Sequence, residues 1–250
     1  MTCGTSLAER FAAALALQDA QDAPPADPAL LPVRLSRAAA EVLPADGAGI
    51  SALTSPDRHV PLGASGPESE LAERLQFTVG AGPCLRANHT QQPVFVVEED
   101  MLRRWPAFHD LLVGQTPYRG IVALPLRRGL AGGGAIDLYF EDPAAVAALD
   151  VLAAVGVGDL VTAALAEAAV WSSEVGGHGP DWLSSPLATG RARVWEAMGL
   201  TSLALDLAAT EALAVLRAHA YATGRTVDDL AADVVSGRAD PSEVGAGGAG

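Results

Sequence analysis

Three short amphipathic segments follow one another between Arg191 and Gly237, and they constrain the fold more tightly than any other part of the chain. In each segment, apolar residues recur at three- and four-residue spacing, which gathers them on one face of a helix. These residues are Val194, Ala197 and Leu200 in the first segment, Ala209, Leu213, Leu216 and Ala220 in the second, and Val227, Leu230, Ala231 and Val234 in the third. Gly224 suits the end of the second helix, and Thr226 with Asp229 predicts a capping box that opens the third. Because a single helix cannot bury its own apolar face, the pattern predicts a small three-helix bundle.

Three linked motifs in this stretch are shared with a known family. They are A-x-G-L at Ala197–Leu200, E-A-L-x-x-L-R at Glu211–Arg217 and A-x-x-V-V at Ala231–Val235. Through them the stretch resembles the ANTAR domain, a three-helix RNA-binding module of transcription antiterminators. The sequence departs from the commoner pattern at Met198, where a lysine often stands, and at Ala208, where a serine usually caps the second helix. Loss of such a cap costs about 1 kcal/mol.

The resemblance implies RNA as the partner of this stretch, recognised as a stem-loop in a nascent transcript. Guanidinium groups bond phosphates and guanine edges, and an aromatic ring stacks on an unpaired loop base. The RNA-binding candidates are Arg191, Arg193, Ala197, Gly199, Arg217, Tyr221 and Arg225. Five arginines stand against seven acids between Arg191 and Asp240, a formal charge of −2. Any RNA contact must therefore be local and shape-specific.

The whole chain is acidic, with thirty Asp and Glu residues, sixteen arginines and a formal net charge of −14. Long-range repulsion opposes approach to nucleic acid or to an anionic membrane, so we expect no DNA partner and no membrane partner. The most apolar run, Val151–Val170, contains Asp159 and Glu167 and is predicted not to span a membrane. With no signal peptide pattern, and with Cys3 and Cys84 too few for a disulfide framework, a cytoplasmic location is expected.

The sequence before residue 171 has a mixed α/β pattern. Strands are predicted at Gly47–Leu53, His59–Ser65, Val94–Val97, Gly120–Leu126 and Gly132–Phe140, the last two joined as a hairpin by Arg127–Leu130. Helices are predicted at Ser6–Leu17, Leu31–Val42, Glu68–Phe77, Cys84–Asn88, Trp105–Val113 and Pro143–Val170. This order predicts an α+β fold, one sheet flanked by helices and followed by the three-helix bundle.

Several segments of this α/β region also match a known family. They are GAGISAL, LQFTVGAGPCLRA, PVFV, DMLRRWPAF, ALPL and GAIDLYF. The region resembles the GAF domain as it occurs in actinobacterial regulators that join GAF and ANTAR domains. The resemblance implies a six-stranded antiparallel sheet and a pocket that holds a small ligand in some members.

The predicted organisation has five parts. They are an N-terminal helix and proline-rich linker (1–30), a GAF-like sensor domain (31–170), a linker (171–187), an ANTAR-like domain (188–240) and a disordered tail (241–250). Trp171 and Trp182 are expected to anchor the linker onto a neighbouring surface. A homodimer is expected, because two bundles would grip two adjacent hairpins, and the alanine-rich helices Ser6–Leu17 and Pro143–Val170 are the predicted dimer surfaces.

Cys84 is the sharpest candidate for catalysis, because it follows a Gly-Pro turn at a helix start, where the helix dipole lowers a thiol pKa. One GAF branch reduces free methionine sulfoxide with cysteines, but that chemistry needs a resolving thiol, and Cys3 lies far away in the sequence. A buried or pocket-wall role is therefore expected, and Cys84, Trp105 and Phe108 are the ligand-pocket candidates. The five histidines share no ligand spacing, so we expect no metal site, no cofactor and no catalytic residue.

The acidic run Glu98–Asp100 is interpreted as a solvated loop. Arg103 and Arg104 then pair with these acids while Trp105 packs inward. The alternative, in which the paired arginines hold an anion or a partner's carboxylate, stays open.

Two functions from different classes fit the sequence. The first is a signal-responsive antitermination regulator, in which the GAF-like domain senses a small ligand or partner and the ANTAR-like domain binds RNA stem-loops. The alternative is a sensor or adaptor whose acidic helical module binds protein rather than RNA.

Overall fold

A computed structural model of the chain describes residues 5–21, 26–55, 58–126, 133–176 and 180–245. Its helices are α1 (Leu7–Gln21), α2 (Leu31–Val42), α3 (Pro67–Val79), α4 (Pro83–Thr90), α5 (Glu98–Arg104), α6 (Pro106–Gln115), α7 (Ala144–Ala148), α8 (Val151–Gly176), α9 (Pro186–Leu205), α10 (Ala209–Ala222) and α11 (Val227–Val235). Its strands are β1 (Gly47–Ser55), β2 (Arg58–Ala64), β3 (Val94–Val97), β4 (Gly120–Leu126) and β5 (Gly134–Phe140). The predicted turn at Arg127–Leu130, together with Cys3, Gly132 and the side chain of Trp171, lies outside the described residues.

The strands form one antiparallel sheet in the order β2-β1-β5-β4-β3. The predicted bounds of β3 and β4 are confirmed, and β5 begins two residues later than predicted. The expectation of one antiparallel sheet flanked by helices is confirmed. The described part of the chain holds five strands, where the GAF resemblance implies six.

Helices cover both faces of this sheet. On one face, Ile50, Leu124 and Ile136 belong to an apolar core that also contains residues of α1, α2 and α8. On the other face, Ile121 and Tyr139 pack in a second core with residues of α3, α4, α5 and α6. Since side chains alternate across a strand, β4 and β5 contribute to both cores, and the candidate site lies on the second face.

The acidic run predicted as a solvated loop is the start of helix α5 instead. Glu98, Glu99 and Asp100 fill its first turn, where the partial positive charge of a helix N-terminus favours acids. In its last turn Arg103 bonds Asp100 at 2.6 Å. The guanidinium of Arg104 lies 4.3 Å from the centroid of the Trp105 ring. The charges of this segment therefore stabilise a helix.

The predicted helix Pro143–Val170 is two helices, because Leu149 adopts an extended conformation between α7 and α8. Asp150 then caps α8, its carboxylate accepting bonds from the backbone N–H groups of Leu152 and Ala153 at 3.0 and 3.1 Å. Side-chain acceptors of this kind satisfy the free N–H groups of a first helical turn.

By length and composition alone, Val151–Val170 of α8 is apolar enough to cross a membrane, so its two acids do not by themselves rule out a span. However, Ala154 and Val161 are buried in the core against the sheet. Asp159 and Glu167 are exposed on the other side of the helix. Packing on the sheet accounts for the apolar composition, because core helices pass the same test.

Parts of the predicted linker and tail are ordered by packing. Helix α8 continues to Gly176, α9 begins at Pro186, and Trp182 between them is buried in the core shared with α1, α2 and α8. In the predicted disordered tail, Val244 is buried and its carbonyl accepts a bond from His219 Nδ1 at 3.1 Å. The expectation that the tail buries nothing is wrong for Val244, while residues 246–250 lie outside the described part.

Helices α9, α10 and α11 pack around a common core. Its buried members from these helices are Val194, Ala197, Leu213, Leu216, Ala220, Val227, Leu230, Ala231 and Val234. The periodicity placed Leu200 on the apolar face of α9 and Ala209 on that of α10, but both residues are exposed. Gly224 has a φ of +65°, as a residue that follows a helix end requires.

The capping boxes at the starts of α10 and α11 are each half-formed. Thr226 accepts a bond from Asp229 N–H at 3.1 Å, but the Asp229 carboxylate accepts from the Thr226 hydroxyl at 2.7 Å instead of from a backbone N–H. At the start of α10, Glu211 accepts from the Ala208 N–H at 2.9 Å. Ala208 has no side-chain oxygen, so it cannot accept a hydrogen bond from the backbone N–H of Glu211.

Candidate functional site

The ring of Phe77, in the last turn of α3, joins the sheet to the three C-terminal helices. Its side chain is fully buried. The guanidinium carbons of Arg191 and Arg217 lie 3.6 and 4.5 Å from its ring centroid. Trp195 of α9 and His59 of β2 meet the ring edge-on, with centroid separations of 5.8 and 5.9 Å. One aromatic ring thus contacts two cations of the helical unit and a histidine of the sheet.

Arg191 is the largest fully buried side chain of the described residues. Its Nη1 forms an ion pair with Asp228 of α11 at 3.0 Å, while Nε and Nη2 have no hydrogen-bond partner. Burial lowers the pKa of Arg191 to about 10, although Asp228 opposes the shift. Arg191 is therefore still a cation at neutral pH, held away from water with two unsatisfied nitrogens.

The end of α3 is shaped to receive the helical unit. Gly80 ends the helix with a φ of +71°, and a Cβ at this position would lie 3.1 Å from Arg217 Nη1. Thr78 Oγ1 accepts a bond from the backbone N–H of Val227 at 2.9 Å. A glycine here allows both the left-handed turn and the close approach of the arginine.

A buried polar cluster lies directly beneath this junction. His59 Nε2 lies 2.8 Å from Ser51 Oγ, and the Ser51 hydroxyl donates to the carboxylate of Glu73. The Tyr139 hydroxyl donates to the same carboxylate at 2.7 Å. Burial is the main cause that lowers the pKa of His59, which is therefore neutral at pH 7.

The cluster continues through the second buried carboxyl group. Gln76 Nε2 donates to Asp137 Oδ2, and Gln76 Oε1 accepts from the backbone N–H of Cys84 at 3.1 Å. Asp137 Oδ1 and His59 Nδ1 have no hydrogen-bond partner. Burial raises the pKa of Asp137 well above its ordinary value, and the nearby Glu73 raises it further. The interior therefore favours the protonated form of Asp137.

Two glycines, Gly49 of β1 and Gly82 before α4, make room for these polar side chains. A Cβ at Gly49 of β1 would lie 2.7 Å from Glu73 Cδ, and a Cβ at Gly82 would lie 3.1 Å from Gln76 Cδ. Gly49 pairs with Asp137 across the sheet. The two glycines therefore leave space for Glu73 and Gln76 at the sheet face.

The arrangement of Ser51, His59 and Glu73 differs from a nucleophile–histidine–acid relay. In such a relay the acid bonds the second nitrogen of the histidine. Here Glu73 accepts from Ser51, lies 3.7 Å from His59 Nε2, and leaves Nδ1 unpaired. All three side chains are also buried. This geometry is therefore not that of a nucleophile–histidine–acid relay that attacks a substrate.

The three residues predicted to line a ligand pocket are not brought together. Cys84 is buried with Leu53 and Ala135, and burial followed by the charges of the nearby carboxyl groups raises its thiol pKa well above the ordinary value. Phe108 belongs to the core around α6, with Trp105 packed against it. A thiol of this kind is poorly activated.

Two grooves lie elsewhere on the surface. One, of about 330 Å³, lies between β3, α7 and the start of α8 and is lined by Phe95, Val97, Val146 and Leu149. The other, of about 260 Å³, lies where α9 begins and is lined by Val33, Arg37, Leu62 and Leu187. Neither contains a predicted pocket residue. Among the described residues, no group of three or more His, Cys, Asp or Glu side chains is arranged to hold a metal ion.

The predicted RNA-binding residues divide into two groups. Arg193 and Gly199 are exposed on α9, and Tyr221 is 39% exposed at the end of α10. Arg225 pairs with Asp233 at 2.6 Å. In contrast, Ala197 is buried in the helical core. Arg191 and Arg217 face Phe77, so the structure turns both of these arginines inward.

The polar cluster and Phe77 were not predicted from the sequence. A signal for part of the cluster is present, because Asp137 and Tyr139 alternate with apolar residues in β5, as do Gly49 and Ser51 in β1. Polar residues two apart on a strand share a face. Phe77 carries no such local signal, since Arg191, Trp195 and Arg217, its partners in the helical unit, lie more than a hundred residues later in the chain.

Comparisons with known proteins give a structural likeness and no sequence match. No family model matches the sequence, and no curated protein matches it. The chain is similar to the GAF domain of a phosphoenolpyruvate-protein phosphotransferase from Coxiella burnetii, with a TM-score of 0.45 and 15% sequence identity. The alignment covers 68% of this chain and 99% of that one.

Proposed function

We propose that this chain is a signal-responsive regulator of transcription antitermination, in which the GAF-like sheet domain senses a small ligand or partner and the ANTAR-like helices bind RNA stem-loops. The observation that carries the proposal is the junction at Phe77. This ring touches Arg191 and Arg217 on the helical side and His59 on the sheet side. A change in the sheet domain thereby reaches residues that the ANTAR resemblance assigns to RNA.

The sensing side rests on the buried polar cluster. Glu73 and Asp137 are two carboxyl groups enclosed in one interior, and Asp137 Oδ1 and His59 Nδ1 lack partners. Leaving buried polar atoms unsatisfied costs free energy, roughly 1–3 kcal/mol each. A small polar ligand, or a shift of α3, that supplied these missing bonds would favour a different arrangement of the cluster.

The output side rests on the exposed surface of the helical unit. Arg193 and Tyr221 are accessible, and they supply a phosphate contact and a ring for an unpaired base. The chain acts in the cytoplasm and works by binding, without a cofactor or a catalytic step. The high thiol pKa of buried Cys84 supports this view.

The regulator works as a homodimer, with the surfaces of α1 and α8 in the interface. Leu152 and Val170 of α8 and Leu17 of α1 are large apolar side chains left exposed, with Leu152 85% accessible. Pairing two copies would bury them and place two helical units side by side. Light scattering of the native chain and of Leu152→Glu tests this, since the substitution is expected to yield monomers. A monomeric native chain would contradict it.

The test of the RNA proposal is crosslinking in growing and starved cells, followed by sequencing of the bound RNA. The native chain is compared with Arg193→Ala/Tyr221→Ala and with Arg103→Ala, a control arginine on α5. Hairpins enriched by the native chain and the control, but lost with the double variant, support the proposal. RNA recovery that is equal for all three chains overturns it.

The adaptor function is the second candidate, and the charge of the helical surface favours it. Arg225 and Arg238 both pair with Asp233, at 2.6 Å each, and Arg191 is buried. The paired and buried guanidinium groups contribute little positive field, so acids dominate the accessible surface. The same crosslinking separates the two functions, because an adaptor yields protein adducts without hairpin RNA.

A further inference from the structure

The contact between Phe77 and the two arginines has the geometry of base recognition. Guanidinium planes stack on flat π systems, and Arg side chains bind unpaired RNA bases in this way. Here two guanidinium groups, 3.6 and 4.5 Å from one ring centroid, hold the side chain of Phe77. The clamp is therefore already built for a flat ring.

Arg191 is incompletely satisfied by its present partner. A phenyl ring offers no acceptor in its plane, and Nε and Nη2 of Arg191 have no hydrogen-bond partner although the side chain is fully buried. Most buried polar groups in native structures are hydrogen-bonded. A nucleobase or its phosphate carries the acceptors that phenylalanine lacks, so these two nitrogens indicate a second, more polar occupant.

The helical unit packs against α3 through α10 and α11 and against β2 through α9. Among the described buried residues of the helical core, Phe77 alone comes from the sheet domain. Two hydrogen bonds that accompany it run from Val227 N to Thr78 Oγ1 and from Gln115 Nε2 to the Gly224 carbonyl, at 2.9 and 3.1 Å. Trp182 and Ala188 remain held in the other core, so the unit stays tethered when the Phe77 contact opens.

We propose that Phe77 occupies a base-binding clamp made by Arg191 and Arg217, and that an unpaired RNA base replaces it when the helical unit leaves α3. This inference rests on the proposed RNA function and adds to it a specific ligand group and a form of control. Docking on α3 and base binding exclude each other, because one pair of guanidinium groups serves both. The sheet domain thereby holds the chain in a state of low RNA affinity.

The test uses the full chain with Phe77→Leu, which keeps an apolar side chain of similar volume but removes the π face. Phe140→Leu is the matched control, since Phe140 is also fully buried but lies in the opposite core. Binding to paired hexaloop hairpins and to a fully paired duplex is measured by fluorescence anisotropy. Amide hydrogen exchange at Val227 reports docking, and exchange at Ile136 of β5 reports the fold.

We expect Phe77→Leu to speed exchange at Val227 while Ile136 stays protected, and to raise hairpin affinity about 5- to 150-fold, the range of typical coupling between sites. Duplex affinity should not change, and adding Arg217→Met should abolish the gain. If Val227 is released but hairpin affinity equals that of the native chain, the clamp is refuted and the proposed function stands. If none of the chains binds hairpins, both fail.

Discussion

Asp228→Asn should destabilise the chain far more than a partly exposed carboxylate would ordinarily suggest. Asp228 is the ion-pair partner of Arg191, at 3.0 Å, and the side chain of Arg191 is completely buried while that of Asp228 is 14% exposed. Removing one partner of a buried pair leaves an uncompensated charge and costs about 3–5 kcal/mol. Because some water reaches Asp228, we expect the lower end, about 3 kcal/mol.

Arg191→Met should cost less, although it removes the same ion pair. The thioether side chain fills much of the volume, and the charge left without its partner, on Asp228, is 14% exposed and lies in the first turn of α11, where a helix N-terminus favours an acid. The loss is mainly the contact with Phe77, worth up to about 2 kcal/mol for a desolvated cation–π pair. Once Arg191 is gone, Asp228→Asn should add little, so the double variant should resemble Arg191→Met alone. The expected coupling between the two positions is about 2–3 kcal/mol.

Urea unfolding at neutral pH, followed by tryptophan fluorescence, measures this cycle. Glu196→Gln is the control, because Glu196 is exposed on the same helix, and it should stay within about 0.5 kcal/mol of the native chain. Additive effects of the two substitutions would refute the view that Asp228 neutralises a buried cation. So would an Asp228→Asn variant as stable as the control.

Three further predictions concern the sheet domain. Gly49→Ala places a Cβ 2.7 Å from the carboxyl carbon of buried Glu73 and should lower the free energy of unfolding by about 1–3 kcal/mol. Gly114→Ala is the control, because a Cβ there has no neighbour within 4 Å, and it should raise the free energy of unfolding by about 0.4–1 kcal/mol. Urea unfolding measures both. The pKa of Asp137 is raised in the folded protein, so Asp137 stabilises the fold most below its unfolded pKa of about 3.9. This stabilisation is lost as the pH rises through the pKa that Asp137 has in the folded protein. Native stability relative to Asp137→Asn should therefore fall with rising pH, and a constant difference in urea midpoints would contradict this. In a Cys3→Ser background, the buried Cys84 thiol should react with iodoacetamide only as fast as the chain unfolds, and rapid labelling of folded protein would contradict its burial.

Helices and strands whose ends carry a clear sequence signal were predictable from the sequence. The bounds of α2, β3 and β4 match prediction; β3, for example, is a short apolar run between Pro93 and the acidic residue Glu98. The break after α7 was not predicted, although Asp150 is a good capping residue. In an alanine-rich run the apolar periodicity continues through the break, so only the cap marks it.

The orientation of the arginines could not be predicted in the same way. Helical periodicity places Arg191 close to the apolar face of α9 with Val194 and Ala197, but arginine is usually solvated, so solvent exposure was the natural expectation. Its burial depends on Phe77 and Asp228, which are 114 and 37 residues away in the sequence. A partner that distant leaves no trace in local patterning.

The buried polar groups of the junction carry more functional information than the apolar framework around them. Stability alone does not require Arg191, because a buried ion pair can often be replaced by apolar residues without loss of stability. Asp137 Oδ1, His59 Nδ1 and two nitrogens of Arg191 are unsatisfied, and all belong to one contiguous region around Phe77. Other buried atoms without a hydrogen-bond partner lie elsewhere, among them Asn88 Oδ1 and Thr201 Oγ1, but these four lie near the contact between α3 and the helical unit, where the proposed replacement of Phe77 by a base would change their surroundings. In the proposed second arrangement, in which an RNA base replaces Phe77, the two unsatisfied nitrogens of Arg191 gain hydrogen-bond acceptors.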